Sequence, residues 1–124
     1  MANAVFLWIG SLLPIVWGIA HLFPTGSVVK GFGSISEDNR RIITMEWITE
    51  GIALMSIGSV VLAATVIDRT SAVSVVVYSI SVVALNLLSI VSLFTGFRIS
   101  FIPFRLCPAI FTGSSVLIVL GLLL

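Results

Sequence analysis

The stretch "ITMEWITEGIALMSIG", Ile43 to Gly58, sets two glutamates, Glu46 and Glu50, at the head of a long apolar run. The run continues to Ile67 and stops at Asp68 and Arg69. About 17 to 25 apolar residues are enough to cross the hydrocarbon of a bilayer as a helix. Met45 to about Ile67 is therefore predicted to span a membrane, with its acids near one boundary. Three more runs of this kind surround it, at about Ala4 to Phe23, Ala72 to Phe97 and Leu106 to Leu124. The predicted fold is all-α, a four-transmembrane-helix bundle of a polytopic membrane protein, in a single domain over residues 1–124.

Composition agrees. The chain is 59% hydrophobic and 9% charged, with a mean hydropathy of +1.27. Soluble domains carry about a quarter charged residues. The lipid bilayer is thus the expected partner, and the expected location is integral to the cell membrane, or the inner membrane of a prokaryote. A net charge of +1, with no basic stripe, excludes a nucleic-acid interface. The single cysteine, Cys107, excludes an intrachain disulfide and a multi-cysteine metal site, and reads as a small packing residue before Pro108. The first run follows "MAN", which has no basic side chain, and is longer than a signal-peptide core. It reads as a retained span.

The run "VSVVVYSISVV", Val73 to Val83, alternates in part, as a barrel strand would. Barrel strands need about 9 to 11 residues, and the third run is more than twice that. Helix is preferred, because lipid offers the backbone no hydrogen bonds. The longest connection, Pro24 to Thr44, reads as a solvated linker with "GFG" as a turn and room for a short interfacial element. Its "SEDNRR" segment places Arg40 and Arg41 for contact with anionic head groups. Connections one and three share a side and carry Lys30, Arg40, Arg41, Arg98 and Arg105, against Arg69 alone in connection two. The positive-inside rule then puts them in the cytoplasm and both termini outside.

Polar residues in the spans are the candidate site. In span one, Gly10, Pro14, Trp17, Gly18 and His21 share an arc, and its small residues suit close helix packing. In span two, Glu46 and Glu50 share an arc with Ala53, Ile57 and Ala64, while Gly51 and Gly58 lie on another arc. In span three, Asn86 shares a face with Ser79, Val82, Ser89 and Leu93. In span four, Cys107, Ser114, Ile118 and Gly121 line up beside Ser115. By depth, His21, Glu46, Glu50 and Asn86 form a graded polar series on the cytoplasmic side. Glu46 is explained as the opening acid of its helix, where the macrodipole favours negative charge. Glu50 lies a turn deeper, where an uncompensated charge is costly, and intramembrane ionisable residues are functional candidates. Asn86 is equally explained by an interhelix hydrogen bond. Trp8 and Trp47 read as aromatic-belt anchors.

A carboxylate beside an imidazole can relay a proton, bind a cation or hold a polar head group. No metal-ligand spacing is present, no nucleophile motif identifies catalytic residues, and no cofactor is specified. "GIAHLFP" (Gly18 to Pro24) followed by "EWITEGIALM" (Glu46 to Met55) resembles the DoxX-like group of small four-helix membrane proteins. The matching positions are His21, Pro24, Glu50 and Gly51. The resemblance implies a four-helix bundle and association with membrane redox or quinone-linked complexes. Three functions compete. The favoured one is an accessory or ligand-binding subunit, alone, as a homo-oligomer or in a larger membrane complex, taking a quinone, lipid or small amphipathic molecule. The others are an oligomeric small transporter or channel and an acid–base enzyme acting on a lipid-like substrate.

Overall fold

The computed structural model describes residues 3–124, and these form five helices and no strand. They are α1 (Ala4–Leu22), α2 (Thr25–Gly31), α3 (Glu37–Asp68), α4 (Ala72–Thr95) and α5 (Ile102–Leu123). All but the short α2 are long and apolar enough to cross a membrane. The order of packing is a ring: α1 lies against α3 and α5, and α4 closes it against α5 and, more lightly, α3. The start of α1 meets the last turns of α5, with the amide of Asn3 donating to the Gly121 carbonyl at 3.0 Å.

The distribution of side chains identifies the solvent. On α4 the buried face is Ser74, Tyr78, Ser81, Leu85 and Ser89, while Val73, Val76, Ile80, Val83, Leu87 and Ile90 point outward. Serines inside and valines outside invert a water-soluble helix. Lipid gains nothing from burying valine, but a serine hydroxyl in hydrocarbon must find a partner. Hence Ser89 meets Thr112 at 2.7 Å, and Thr65 meets Tyr78 at 3.0 Å. The inner face of α4 is rotated from the expected one. Asn86 and Ser79 sit beside it and are exposed, whereas the expected row on α5, from Cys107 to Gly121, is buried.

Small residues set the closest pair. Ser11 and Gly18 on α1, and Gly51 and Gly58 on α3, are each seven residues apart, so each pair stays on one seam. Antiparallel, Gly18 faces Gly51 and Ser11 faces Gly58. A Cβ on Gly18 would stand 2.6 Å from the Gly51 carbonyl oxygen and 2.8 Å from Met55 Cγ. The arc that packs on α1 is thus the glycine arc of α3, not the glutamate arc. Pro14 lies inside α1, and without an N–H it leaves the Gly10 carbonyl free. The Ser114 hydroxyl of α5 donates to that carbonyl.

Two boundaries differ from expectation. The "SEDNRR" segment is not a linker: Ser36 caps α3, its hydroxyl accepting from the Asn39 amide at 3.2 Å, and Glu37 and Asp38 fill the first turn. At about 1.5 Å per residue, a 32-residue helix outreaches the hydrocarbon core, so its first turns project beyond it. Glu46 therefore does not open its helix. The macrodipole argument belongs to Glu37 and Asp38. At the other connection, α5 starts at Ile102 rather than Leu106, with Pro103 in its first turn, where a missing N–H costs nothing. The first connection contains a short helix, α2, over 25–31, and Gly33 turns the chain with φ of 71°.

Candidate functional site

His21 stands in the last turn of α1, next to Pro24, where the helix must end. The terminal carbonyls of a helix lack donors, and the His21 carbonyl finds one across the bundle. The Trp47 indole of α3 donates to it at 2.7 Å. The same indole lies flat on the His21 ring, with centroids 3.9 Å apart and planes 15° from parallel. Trp47 thus clamps His21 by backbone and ring together. Trp47 and Phe104 pack edge-to-face with centroids 5.4 Å apart, and Phe104 packs the same way with Phe101. Trp47, expected as a belt anchor, is half-buried and also borders both cavities described below.

Glu50 follows Trp47 by three residues and so shares its face of α3. Its Oε2 lies 3.4 Å from His21 Nε2. That is contact distance, yet the alignment does not make a hydrogen bond, and among the described residues Nε2 has no other partner. His21 is only 8% exposed. The Glu50 side chain is 42% exposed and lines two adjoining cavities. In an apolar setting the pair is neutral overall with one proton, whether that proton sits on the imidazole or the carboxyl. It can therefore give or take a hydrogen bond without a net charge in hydrocarbon.

The inner cavity has a volume of about 460 Å³ and is bounded by α1, α3, α4 and α5. His21, Glu50, Cys107, Trp17 and Trp47 are on its wall. The chain has one histidine and one cysteine, and both are here. The Trp17 indole donates to Cys107 Sγ at 3.4 Å, and the thiol donates to the Pro103 carbonyl at 3.4 Å. Cys107 is thus buried as expected, and also faces the cavity. The outer cavity, about 940 Å³, is bounded by α2, α3 and the connection before α5, and Glu46 is on its wall. Six residues line both: Trp47, Glu50, Leu88, Ile99, Phe101 and Phe104.

Of the expected series, the structure joins His21 to Glu50, places Glu46 on the outer cavity only, and keeps Asn86 out of both. Asn86 instead donates to Ser115 Oγ at 2.7 Å and to the Val82 carbonyl at 2.8 Å, tying α4 to α5. Arg40 and Arg41 pair with Glu37 on their own helix, at 3.8 Å and 3.3 Å, as exposed pairs of small energetic weight. Trp17, Trp47, Phe104 and Cys107 were not expected at the site. A signal was present for two of them: Trp17 lies one turn before His21, and Trp47 lies between the two glutamates. No family model, curated protein or solved structure matches the chain.

Proposed function

We propose that this integral membrane protein binds a small amphipathic molecule at the Glu50–His21 pair, as an accessory or ligand-binding subunit. The observation that carries the reading is the convergence of Glu50, the only histidine and the only cysteine on one cavity of about 460 Å³. Ligand cavities are typically of about 300 to 1,000 Å³, largely apolar, with a few convergent polar groups. This one has Trp17, Trp47, Phe101 and Phe104 for the apolar body of a ligand and the Glu50–His21 pair for its head. Quinones, lipids and other small amphipaths share that chemistry. Membership of the DoxX-like group belongs to the same proposal, since α1 and α3 carry its matching positions side by side. So does the orientation, with the site at the cytoplasmic end and the termini outside.

The test is extraction of small molecules from gently purified wild-type protein and from Glu50→Gln, both in lipid nanodiscs, against empty nanodiscs. An amphipathic molecule enriched with wild type and lost from the variant is expected, as is slower alkylation of Cys107 by N-ethylmaleimide while that molecule is bound. Identical extracts and equal alkylation rates from the two proteins would dismiss the site.

A further inference from the structure

The charges around the two cavities are of one sign. Glu46 and Glu50 are the charged side chains on their walls. The chain has six lysines and arginines, and none lines either cavity. Arg40 and Arg41 are turned to Glu37, and Arg105 donates to the Ile99 carbonyl at 3.0 Å. An anionic head group would therefore meet carboxylates in a low-dielectric space with no cation to receive it. A zwitterionic phospholipid is disfavoured for the same reason, because its phosphate accompanies its ammonium.

A second observation points to a ligand. Among the described residues His21 Nε2 has no hydrogen-bond partner, though Glu50 lies in contact, in a side chain more than nine-tenths buried whose ring lines the inner cavity. An ammonium N–H can donate to a neutral imidazole nitrogen and to the Glu50 carboxylate 3.4 Å from it. The rest of the wall suits a cation as well. Trp47, Phe101 and Phe104 border both cavities, and Trp17 borders the inner one. Aromatic faces attract organic cations, most strongly where water is excluded.

We propose that the joined cavities select an amphipathic organic cation, a free amine with an aryl or alkyl tail, and that its binding releases one proton from the Glu50–His21 pair. This rests on the amphipath-binding reading above and narrows it to one charge class. Charge balances: the pair with its proton is neutral, and the pair without it carries one negative charge that the ammonium neutralises. The other groups facing the pair do not alter this count. They are Glu46 from α3 at the outer wall, Cys107 from α5, and Ser92 and Thr95 from α4, with no charged side chain from α4 or α5.

The experiment uses the full chain in phosphatidylcholine nanodiscs, with empty nanodiscs subtracted. Three probes of matched length are titrated: N-benzyldecylamine, an ammonium with N–H donors over the pH range used, the uncharged N-benzyl-N-decylacetamide and the anion decylbenzenesulfonate. The ammonium is expected to bind at least about tenfold more tightly than either other probe. Its affinity should rise about tenfold per pH unit while the pair holds its proton, as one released proton requires. In Glu50→Gln, whose folding is checked by thermal unfolding, both the preference and the pH slope should vanish. Equal binding of all three probes would overturn the cation assignment and leave the amphipath site standing. Binding of none would remove both. Tighter ammonium binding with a flat pH profile would overturn the proton exchange. Because the probe comparison uses wild type, a variant that fails to fold does not protect the proposal.

Discussion

Replacing Gly18 with alanine adds one methyl group at the closest point between α1 and α3. The new Cβ would lie 2.6 Å from the Gly51 carbonyl oxygen, where ordinary contact begins at 3.4 Å, so the helices must part by about 0.8 Å. The obstacle is backbone, which no rotamer change can move. Overpacking of this kind costs about 1 to 3 kcal/mol. Alanine also favours helix over glycine by about 1 kcal/mol, which would mask part of the loss. Gly113→Ala corrects for that. It lies inside α5 with nothing within 4 Å of its Cβ, so it receives the helix gain alone. The difference between the two variants isolates the clash, about 1 to 3 kcal/mol against Gly18→Ala. It is measured by steric trapping or denaturant unfolding in bicelles. His21 is one turn along α1 from Gly18, so the parting also lengthens the 3.4 Å contact with Glu50 and weakens ligand binding. Equal unfolding of Gly18→Ala and Gly113→Ala would refute the account of the seam.

Two further outcomes follow from hydrogen bonds inside the bundle. Ser114→Ala should cost about 1 kcal/mol beside Pro14, because the Gly10 carbonyl then has no donor, and distinctly less in a Pro14→Ala background, where the helix amide returns; a double-mutant cycle in bicelles reads the coupling. Asn86→Ala should lose about 0.6 kcal/mol, and at most about 1.7, from the Ser115 bond, while leaving ligand affinity unchanged, since Asn86 borders neither cavity; a lowered affinity with intact stability would contradict that placement.

The spans were legible because lipid imposes one simple demand, a long apolar helix, and composition answers it residue by residue. The face of each helix was less legible. A soluble protein marks its inner face with apolar residues, but here both faces are apolar and only serines, glycines and a few larger polar groups report the inside. On α5 the row from Cys107 to Gly121 was dense enough to read. On α4, serines occupy several faces, and Asn86, the most polar residue, lies on a face beside the buried one. The start of α3 is hard to see in the sequence because Glu37 to Arg41 is charged, and a charged stretch between apolar runs has the composition of a linker. Ser36 followed by two acids is in fact a helix N-terminus in water, continuous with a span in lipid. At the site, polarity pointed to His21 and Glu50. Trp47 was assigned by residue type to the interface, and no one-dimensional pattern reveals that its indole reaches the end of another helix.

The position of the site follows from how α3 and α4 are held. At the Asp68 end, a three-residue connection and the bonds of Thr65 to Tyr78 and of Ser74 to the carbonyls of Ala64 and Asp68 tie the two helices together. At the Glu50 end no hydrogen bond joins them among the described residues, and α3 is drawn instead toward α1 by Gly51 against Gly18 and by Trp47 against His21. A helix pinned at one end to α4 and at the other to α1 must leave a gap between α3 and α4 at the second end. Leu88 of α4 and Glu50 of α3 face each other across that gap, and both cavities share them. The gap is bordered by aromatic rings rather than filled by them. The tightness of the glycine seam and the openness of the cavity are therefore two results of one packing choice, and a change that loosens the first alters the second.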